Sequence, residues 1–151
     1  MEATALEFLK IQVDFNNDVI SKNIAGISNE EAMIFPDNNA NPANWILGHL
    51  IFIRNTMIQV LGGDKVWEDE EFSFYDRGEI PLQKKEKFIE FETLKSYFKD
   101  TENELNRIFR SLEKIEPETI NDLAGLMLHE IYHAGQLGYL RRILGRKGAI
   151  K

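Results

Sequence analysis

The sequence predicts an all-α protein built as a four-helix bundle, on three observations. Apolar residues recur at three- and four-residue steps in four separate segments, each about 20 to 25 residues long and joined in series. No segment alternates with the two-residue period of a strand, and no stretch repeats another. Helix one draws its stripe from Leu6, Leu9, Val13, Ile20 and Ile24. Ser28 with Glu31 has the spacing of a capping box, in which a hydroxyl and a carboxylate satisfy two free amides, so a short extra turn is expected there. Helix two is expected to begin at Asn41-Pro42, an N-cap followed by a proline whose missing N–H costs nothing in a first turn. Its apolar face carries Trp45, Ile46, Phe52, Ile53 and Val60, and Gly62-Gly63 offers the left-handed cap that ends it. Residues 64–89 hold Trp67, the acidic run Glu68 to Glu71, Tyr75-Asp76-Arg77-Gly78 and Pro81 with no sustained period, so they read as a long connector held down by its aromatics. Phe91, Leu94, Phe98, Leu105, Phe109 and Leu112 draw helix three, which ends before Pro117. Thr119 with Asp122 marks the start of helix four, which runs to Gly145 with Arg141 and Arg142 in its last turns, where the helix dipole favours cations.

The chain has 151 residues, enough for an independent core, and one domain over 1–151 is expected. With 43% hydrophobic and 28% charged residues the composition is globular, which excludes disorder as the main state. There is no cysteine, so a disulfide framework, an iron–sulfur cluster and a cysteine nucleophile are excluded, and any metal must sit on nitrogen and oxygen. Against 18 Lys plus Arg stand 25 Asp plus Glu, a net charge of −7 that disfavours nucleic acid as a partner, because phosphate binding relies on clustered cations. The longest apolar stretch, Ile46 to Ile53, is broken by Gly48 and His49 and falls far short of the ~20 residues that span a bilayer, so no membrane partner is expected. Met1-Glu2-Ala3-Thr4 lacks the basic flank and apolar run of a secretory leader, and a cytoplasmic protein is expected.

Only three histidines are present, and all three fall on inward arcs. His49 lies among Trp45, Ile46, Phe52, Ile53 and Val60, while His129 and His133, four apart, share a face with Leu126, Gln136, Leu140, Ile143 and Leu144. A single buried histidine is ordinarily a core residue with a satisfied hydrogen bond. Three imidazoles in an apolar interior are costly unless every ring nitrogen finds a partner, and one divalent cation satisfies three at once. In an up-down-up-down bundle helices two and four start at the same end, which places His49 about 10 Å along and the pair about 14 to 20 Å along. Asn17 and Glu102 interrupt the stripes of helices one and three about 12 and 16 Å from that same end. A polar layer contributed by all four helices is how bundles build metal sites.

Asn44-Trp45-Ile46-Leu47-Gly48-His49-Leu50, and again His129-Glu130-Ile131-Tyr132-His133-Ala134-Gly135-Gln136-Leu137-Gly138-Tyr139-Leu140-Arg141-Arg142, resemble the DinB/YfiT-like superfamily. The specific elements are a Trp-x-x-Gly-His on the second helix and a His-x-x-x-His-x-Gly-Gln followed by two arginines on the fourth. The resemblance implies a four-helix bundle of mirrored up-and-down handedness and a site for Ni2+ or Zn2+ made by His49, His129 and His133. Some relatives place a carboxylate at one of these positions, and this chain keeps three histidines. Characterised relatives include transferases and isomerases that use a low-molecular-weight thiol, so a thiol co-substrate is implied as well.

Three neutral imidazoles with open positions form a Lewis-acid site able to activate a bound water or thiol. The expected activity is therefore a metal-dependent transferase or hydrolase acting on a small-molecule substrate, in a pocket bounded by the loop from Gly26 to Asn41. The alternative is a noncatalytic bundle whose metal or polar layer is structural, and such a site would be sealed from solvent. Glu102 and Gln136 are the expected catalytic residues: Glu102 as general base, fourth ligand or partner to a histidine, Gln136 as fourth ligand or as an aid to a bound water or substrate. Trp45 is expected to wall the cofactor pocket, with Asn17 as a further polar contact. Helix four is apolar nearly all round, with Met127, Leu128, Ile131, Gly135 and Gly138 opposite the histidines, so a homodimer through that back face is expected. The competing cover is the connector 64–89, using Trp67, Phe72 or Phe74.

Overall fold

A computed structural model describes residues 4–150, the side chains of Asp69 and Glu71 excepted, so the segment Met1 to Ala3 lies outside the described residues. Among the described residues six α-helices run in the order α1 (Ala5–Ile24), α2 (Asn29–Ala32), α3 (Ala43–Val60), α4 (Asp69–Phe72), α5 (Phe91–Ser111) and α6 (Pro117–Ile143). Single 3-10 turns lie at Ser73–Tyr75, Pro81–Gln83 and Lys85–Lys87, and no strand occurs among the described residues. The four long helices are those drawn by the apolar stripes. Ser28 and Glu31 close the expected capping box, and Thr4 with Glu7 closes a second one at the start of α1. Two starts shift. Pro42, not Asn41, is the cap residue of α3, and it has no side-chain cap bond; α6 begins at Pro117, two residues before Thr119, because proline suits a first helical position. Gly62 and Gly145 follow the helix ends at φ 78° and 77°, a conformation that only glycine adopts cheaply.

The helix directions follow from paired contacts. Asn16 donates to the Met127 carbonyl and Asn23 to the Ala134 carbonyl, so a seven-residue step on α1 matches a seven-residue step on α6 and the two run parallel. His49 lies beside His133 and Arg54 pairs with Glu130, so α3 and α6 are antiparallel. Asn44 donates to the carbonyl of Ile89, Arg54 lies over the Phe98 ring, and Gly63 abuts Ile108, so α3 and α5 are parallel. The strict up-down-up-down alternation expected from the sequence is thus replaced by up, down, down, up. Parallel neighbours need a crossover about as long as a helix, and the segment between α3 and α5 supplies it.

Two apolar clusters fill the interior. One contains Ile20, Ile24, Leu47, Leu50, Ile51, Phe91, Leu94 and Leu137 together with connector residues Trp67, Phe72, Phe74 and Tyr75. The other, at the opposite end, holds Leu9, Val13, Met57, Ile58, Leu105, Phe109, Leu123 and Met127. Between them lies a buried polar layer to which every long helix contributes: Asn16, Arg54, Thr101 and Glu130. Arg54 forms an ion pair with Glu130, whose other oxygen accepts from Asn16 at 2.8 Å, and the Thr101 hydroxyl returns to the Phe98 carbonyl at 2.7 Å. A polar layer is present, as expected, but its members on α1 and α5 are Asn16 and Thr101. Thr101 stands three residues after Phe98 and four before Leu105, which makes it the inward position; Glu102 is one step round, at the boundary.

Candidate metal centre

The connector docks on α3 through one closed set of hydrogen bonds. The Tyr75 hydroxyl donates to the Asn44 side-chain oxygen at 3.0 Å and accepts the Ile89 amide at 3.0 Å, while the Asn44 amide nitrogen donates to the Ile89 carbonyl at 2.7 Å. The middle and the far end of the crossover are thereby fixed to the first turn of α3. Successive carbonyls of the Ser73–Tyr75 turn then meet groups one helical turn apart: Phe74 accepts from the Trp45 indole at 3.0 Å and Tyr75 accepts from His49 Nδ1 at 2.6 Å. Gly48 makes this approach possible, because a Cβ there would lie 2.1 Å from the Tyr75 ring. The Trp45 ring stacks on His49 at 4.9 Å with planes 11° apart. The Trp-x-x-Gly-His segment is therefore a docking surface that aims one imidazole.

A carbonyl oxygen only accepts, so His49 carries its hydrogen on Nδ1 and presents the Nε2 lone pair to the interior. His133 is held the same way by its own helix, its Nδ1 donating to the Gln136 side-chain oxygen at 2.7 Å. Between these rings stands His129, whose Nε2 lies 3.2 Å from Nε2 of His49 and 2.9 Å from Nε2 of His133. One ligand nitrogen from each of the three lies within 4.8 Å of the others. Nitrogens that share one ion at about 2.1 Å stand about 3.0 to 3.4 Å apart, so the two separations from His129 are close to those of a shared divalent cation, and all three nitrogens lie near enough to hold one. Two of the three rings already have the hydrogen-bonded Nδ1–H that metal-bound histidines show.

Electrostatics favour the neutral ligands. Burial lowers the pKa of His133 to about 4, against the raising effect of its bond to Gln136. Burial also lowers His49, opposed by the Tyr75 carbonyl, and lowers His129, to which the Arg77 guanidinium adds. Neutral imidazoles are what a divalent ion requires.

The site is open through His129, which lines a cavity of about 410 Å3 bordered by Arg77, Thr56, Asn121 and Asp122. A larger cavity, of about 710 Å3, is lined by Pro36, Asp37, Asn41, Tyr132, Gln136 and Tyr139 among others and lies behind His133, whose Nδ1 donates to Gln136. His49 and His133 are buried, whereas His129 is half-buried.

Of the sequence-expected residues, the structure brings together His49, His129, His133, Trp45 and Gln136. Gln136 supports the back of His133 and lines the larger cavity, while Trp45 packs on the face of His49. Asn17 and Glu102 meet elsewhere, in the groove between α1 and α5, together with Asp14, Asp18, Ser21, Lys99 and Asn106. Glu102 is paired with Lys99 at 2.8 Å and takes no part in the histidine cluster, so its expected role as base or fourth ligand is corrected. The cause is bundle order: α3 and α6 carry the histidines, and the face of α5 bearing Glu102 turns toward α1.

Sequence reasoning missed four contributors. Arg54 occupies a stripe of Leu47, Leu50, Ile51, Met57 and Ile58, and Glu130 one of Met127, Ala134 and Leu137, so a charge at core spacing was the available signal. Tyr75 and Arg77 lie in an aperiodic segment where no spacing rule applies. Arg77 reaches the site from above, its Nη2 lying 3.0 Å from His129 Nδ1.

A scan against protein-family models and a search of the curated proteins each return no match to this chain.

Proposed function

We propose that the protein is a metal-dependent enzyme of the DinB/YfiT-like kind, a transferase using a low-molecular-weight thiol or a hydrolase, with Ni2+ or Zn2+ held by His49, His129 and His133. The observation that carries this reading is the pairing of a converging imidazole triad with an open cavity that His129 itself lines. A purely structural site is satisfied by closure and has no use for a half-buried ligand. When bound, the ion would lower the pKa of a water or thiol and polarise a substrate carbonyl or related group. This chain's residues supply the rest: Tyr75 and Gln136 fix two rings by their Nδ1 hydrogens, and the polar and aromatic wall of Gln136, Tyr132 and Asn41 receives the small-molecule substrate. The site offers no carboxylate from α5 as a base.

The partner proposed is a second copy of the chain. Its support is an uncovered apolar surface: Phe8, Ile11 and Phe15 on α1 and Leu128 on α6 are each more than half exposed, and Phe15, Ile131 and Gly135 line one shallow groove. The connector, the competing cover, packs on α3 and α5 instead. Met127 and Gly138, assigned to this outer face by periodicity, are taken up by the core and by Asn23 of α1.

The test is metal analysis of protein purified without a histidine tag, followed by a thiol-transfer and hydrolysis screen. One equivalent of metal is expected for the wild type and none for a variant with all three histidines changed to alanine. A triple variant that retains one equivalent removes the assignment.

A further inference from the structure

The cavity of about 710 Å3 has walls of a particular chemistry. Tyr132 and Tyr139 stand seven residues apart on one face of α6, about 10 Å along its axis, and they are 65% and 69% exposed. Between them comes Gly135. A Cβ there would meet nothing within 4 Å and the backbone is ordinary helix, so neither packing nor conformation requires a glycine, and alanine would favour the helix more. Gly138, by contrast, is packed against Asn23. The missing side chain at 135 leaves the helix surface bare between two tyrosines, with Ile46, Leu140 and Ile143 as apolar lining.

The charge of the lining is one-sided. Of the residues that form it, Asp37 alone carries a charge. One oxygen of Asp37 accepts the Asn39 amide at 2.9 Å, which steadies the carboxylate, and no ion pair of Asp37 occurs among the described residues. The cations closest in the chain are engaged elsewhere. Arg141 donates to the carbonyls of Asn23, Ala25 and Lys147, Arg146 pairs with Glu31, Arg142 borders a different groove, and Lys85 lies over the Phe35 ring. A net charge of −7 adds attraction for cations at longer range. We propose that this cavity binds a small organic ammonium ion, its charge set against the Asp37 carboxylate and the rings of Tyr132 and Tyr139, its apolar part against Ile46, Leu140 and Ile143. Aromatic rings attract cations through their negative faces, and the attraction strengthens as water is displaced. The inference rests on the reading above only in taking the occupant for the substrate, because the binding itself needs no metal.

The test is an NMR titration of the tyrosine ring signals with two probes: choline, and the alcohol in which a tert-butyl group replaces its trimethylammonium. Choline should bind the wild type in the millimolar range and shift the rings of Tyr132 and Tyr139, and the uncharged isostere should bind about fivefold more weakly or worse. Asp37→Asn keeps an oxygen for the Asn39 amide and should weaken choline about fivefold while leaving the isostere unmoved. Gly135→Leu fills the bare stretch and should abolish binding of both. Both positions are exposed, so the variants are expected to fold, and thermal midpoints check this; should Gly135→Leu fail to fold, Asp37→Asn still decides. Equal affinity for the two probes, choline binding unmoved in Asp37→Asn, or no ring shift at tens of millimolar choline overturns the inference. A separate Zn2+ titration keeps the two readings apart. A wild type that binds choline but takes no Zn2+ overturns the metal reading and leaves the ammonium site standing, whereas one that takes Zn2+ without binding choline overturns this inference alone.

Discussion

The two helices that carry the histidines are built in opposite ways. Every residue from Pro42 to Ile51 at the start of α3 is buried, because the bundle covers one side and the connector the other. On α6 the buried positions reduce to a single stripe of Leu123, Met127, Glu130, His133, Ala134, Leu137 and Leu140, while Leu128, Tyr132 and Tyr139 remain more than 60% exposed. The ligands differ in the same sense. His49 is held by a backbone carbonyl and a stacked indole, whereas His133 and His129 are held by the flexible side chains of Gln136 and Arg77. The site thus has a fixed half and an adjustable half, and the connector decides which is which.

The largest effect is expected where the halves are joined by charge. Removing Glu130 leaves the Arg54 guanidinium buried without its partner, and both terminal nitrogens of Arg54 already have no partner among the described residues. Glu130→Ala should cost about 3 to 5 kcal/mol in urea unfolding of the metal-free protein, while Arg54→Met combined with Glu130→Leu should recover most of it. A single-variant loss under 1 kcal/mol would show that this tie is not what holds α3 to α6.

Acid should next expose the cost of hiding His133. Its folded pKa of about 4 lies below the unfolded value near 6.5, so between those limits the unfolded chain binds more protons and stability falls as pH falls. For metal-free protein the loss between pH 7 and 4 should be on the order of 3 kcal/mol, and His133→Gln should flatten the curve. Because all three imidazoles are shifted down, metal affinity should also persist below the pH at which ordinary histidines protonate. A pH-independent midpoint for the wild type would contradict the burial argument.

A matched pair of substitutions sharpens the contrast directly. Gly48→Ala on α3 drives a Cβ into Tyr75 and should destabilise by about 1 to 3 kcal/mol, with weaker metal binding as His49 loses its carbonyl. Gly125→Ala on α6 meets open space and should stabilise by about 0.5 to 1 kcal/mol through helix propensity alone. Thermal shifts of the same sign for both would break the comparison. The smallest change in folding is expected from Leu128→Asp, 62% exposed, which should move stability by less than about 0.5 kcal/mol yet halve the mass seen in light scattering. A wild type already monomeric would remove the dimer.

Much of this was legible in the sequence for a plain reason: a helix stripe and a histidine are local signals. The four long helices, the Ser28 cap, the Gly62 stop and the inward aim of all three imidazoles follow from spacing alone. What failed was relational. Strict alternation of directions cannot be checked by a stripe, and the expected convergence of the histidines was reached from the wrong pair of helix ends. His49 meets the others because it lies about two turns into α3 while His133 lies about three turns from the end of an antiparallel α6. Periodicity also gave Asn17 and Glu102 the places that Asn16 and Thr101 occupy, since one residue is 100° of rotation and both neighbours can interrupt a stripe. It also did not mark the start of α3 as the segment that bundle and connector enclose from both sides. Arg77 carried no local mark at all.

The parallel pairing of α1 with α6 has a consequence for how the chain comes to be folded. Asn16 and Asn23 find their acceptors 111 residues later, on Met127 and Ala134. During synthesis the inner face of α1 therefore lacks its main native neighbour until α6 has emerged, about 6 to 22 seconds later at about 5 to 20 residues per second. Closing so long a loop is also slow on release, because its entropy is spent before the contacts repay it. Phe8, Ile11 and Phe15 are exposed even in the finished fold, so the nascent first helix is sticky on both sides for that whole interval. It is the segment of this chain that a holdase chaperone would be expected to meet first.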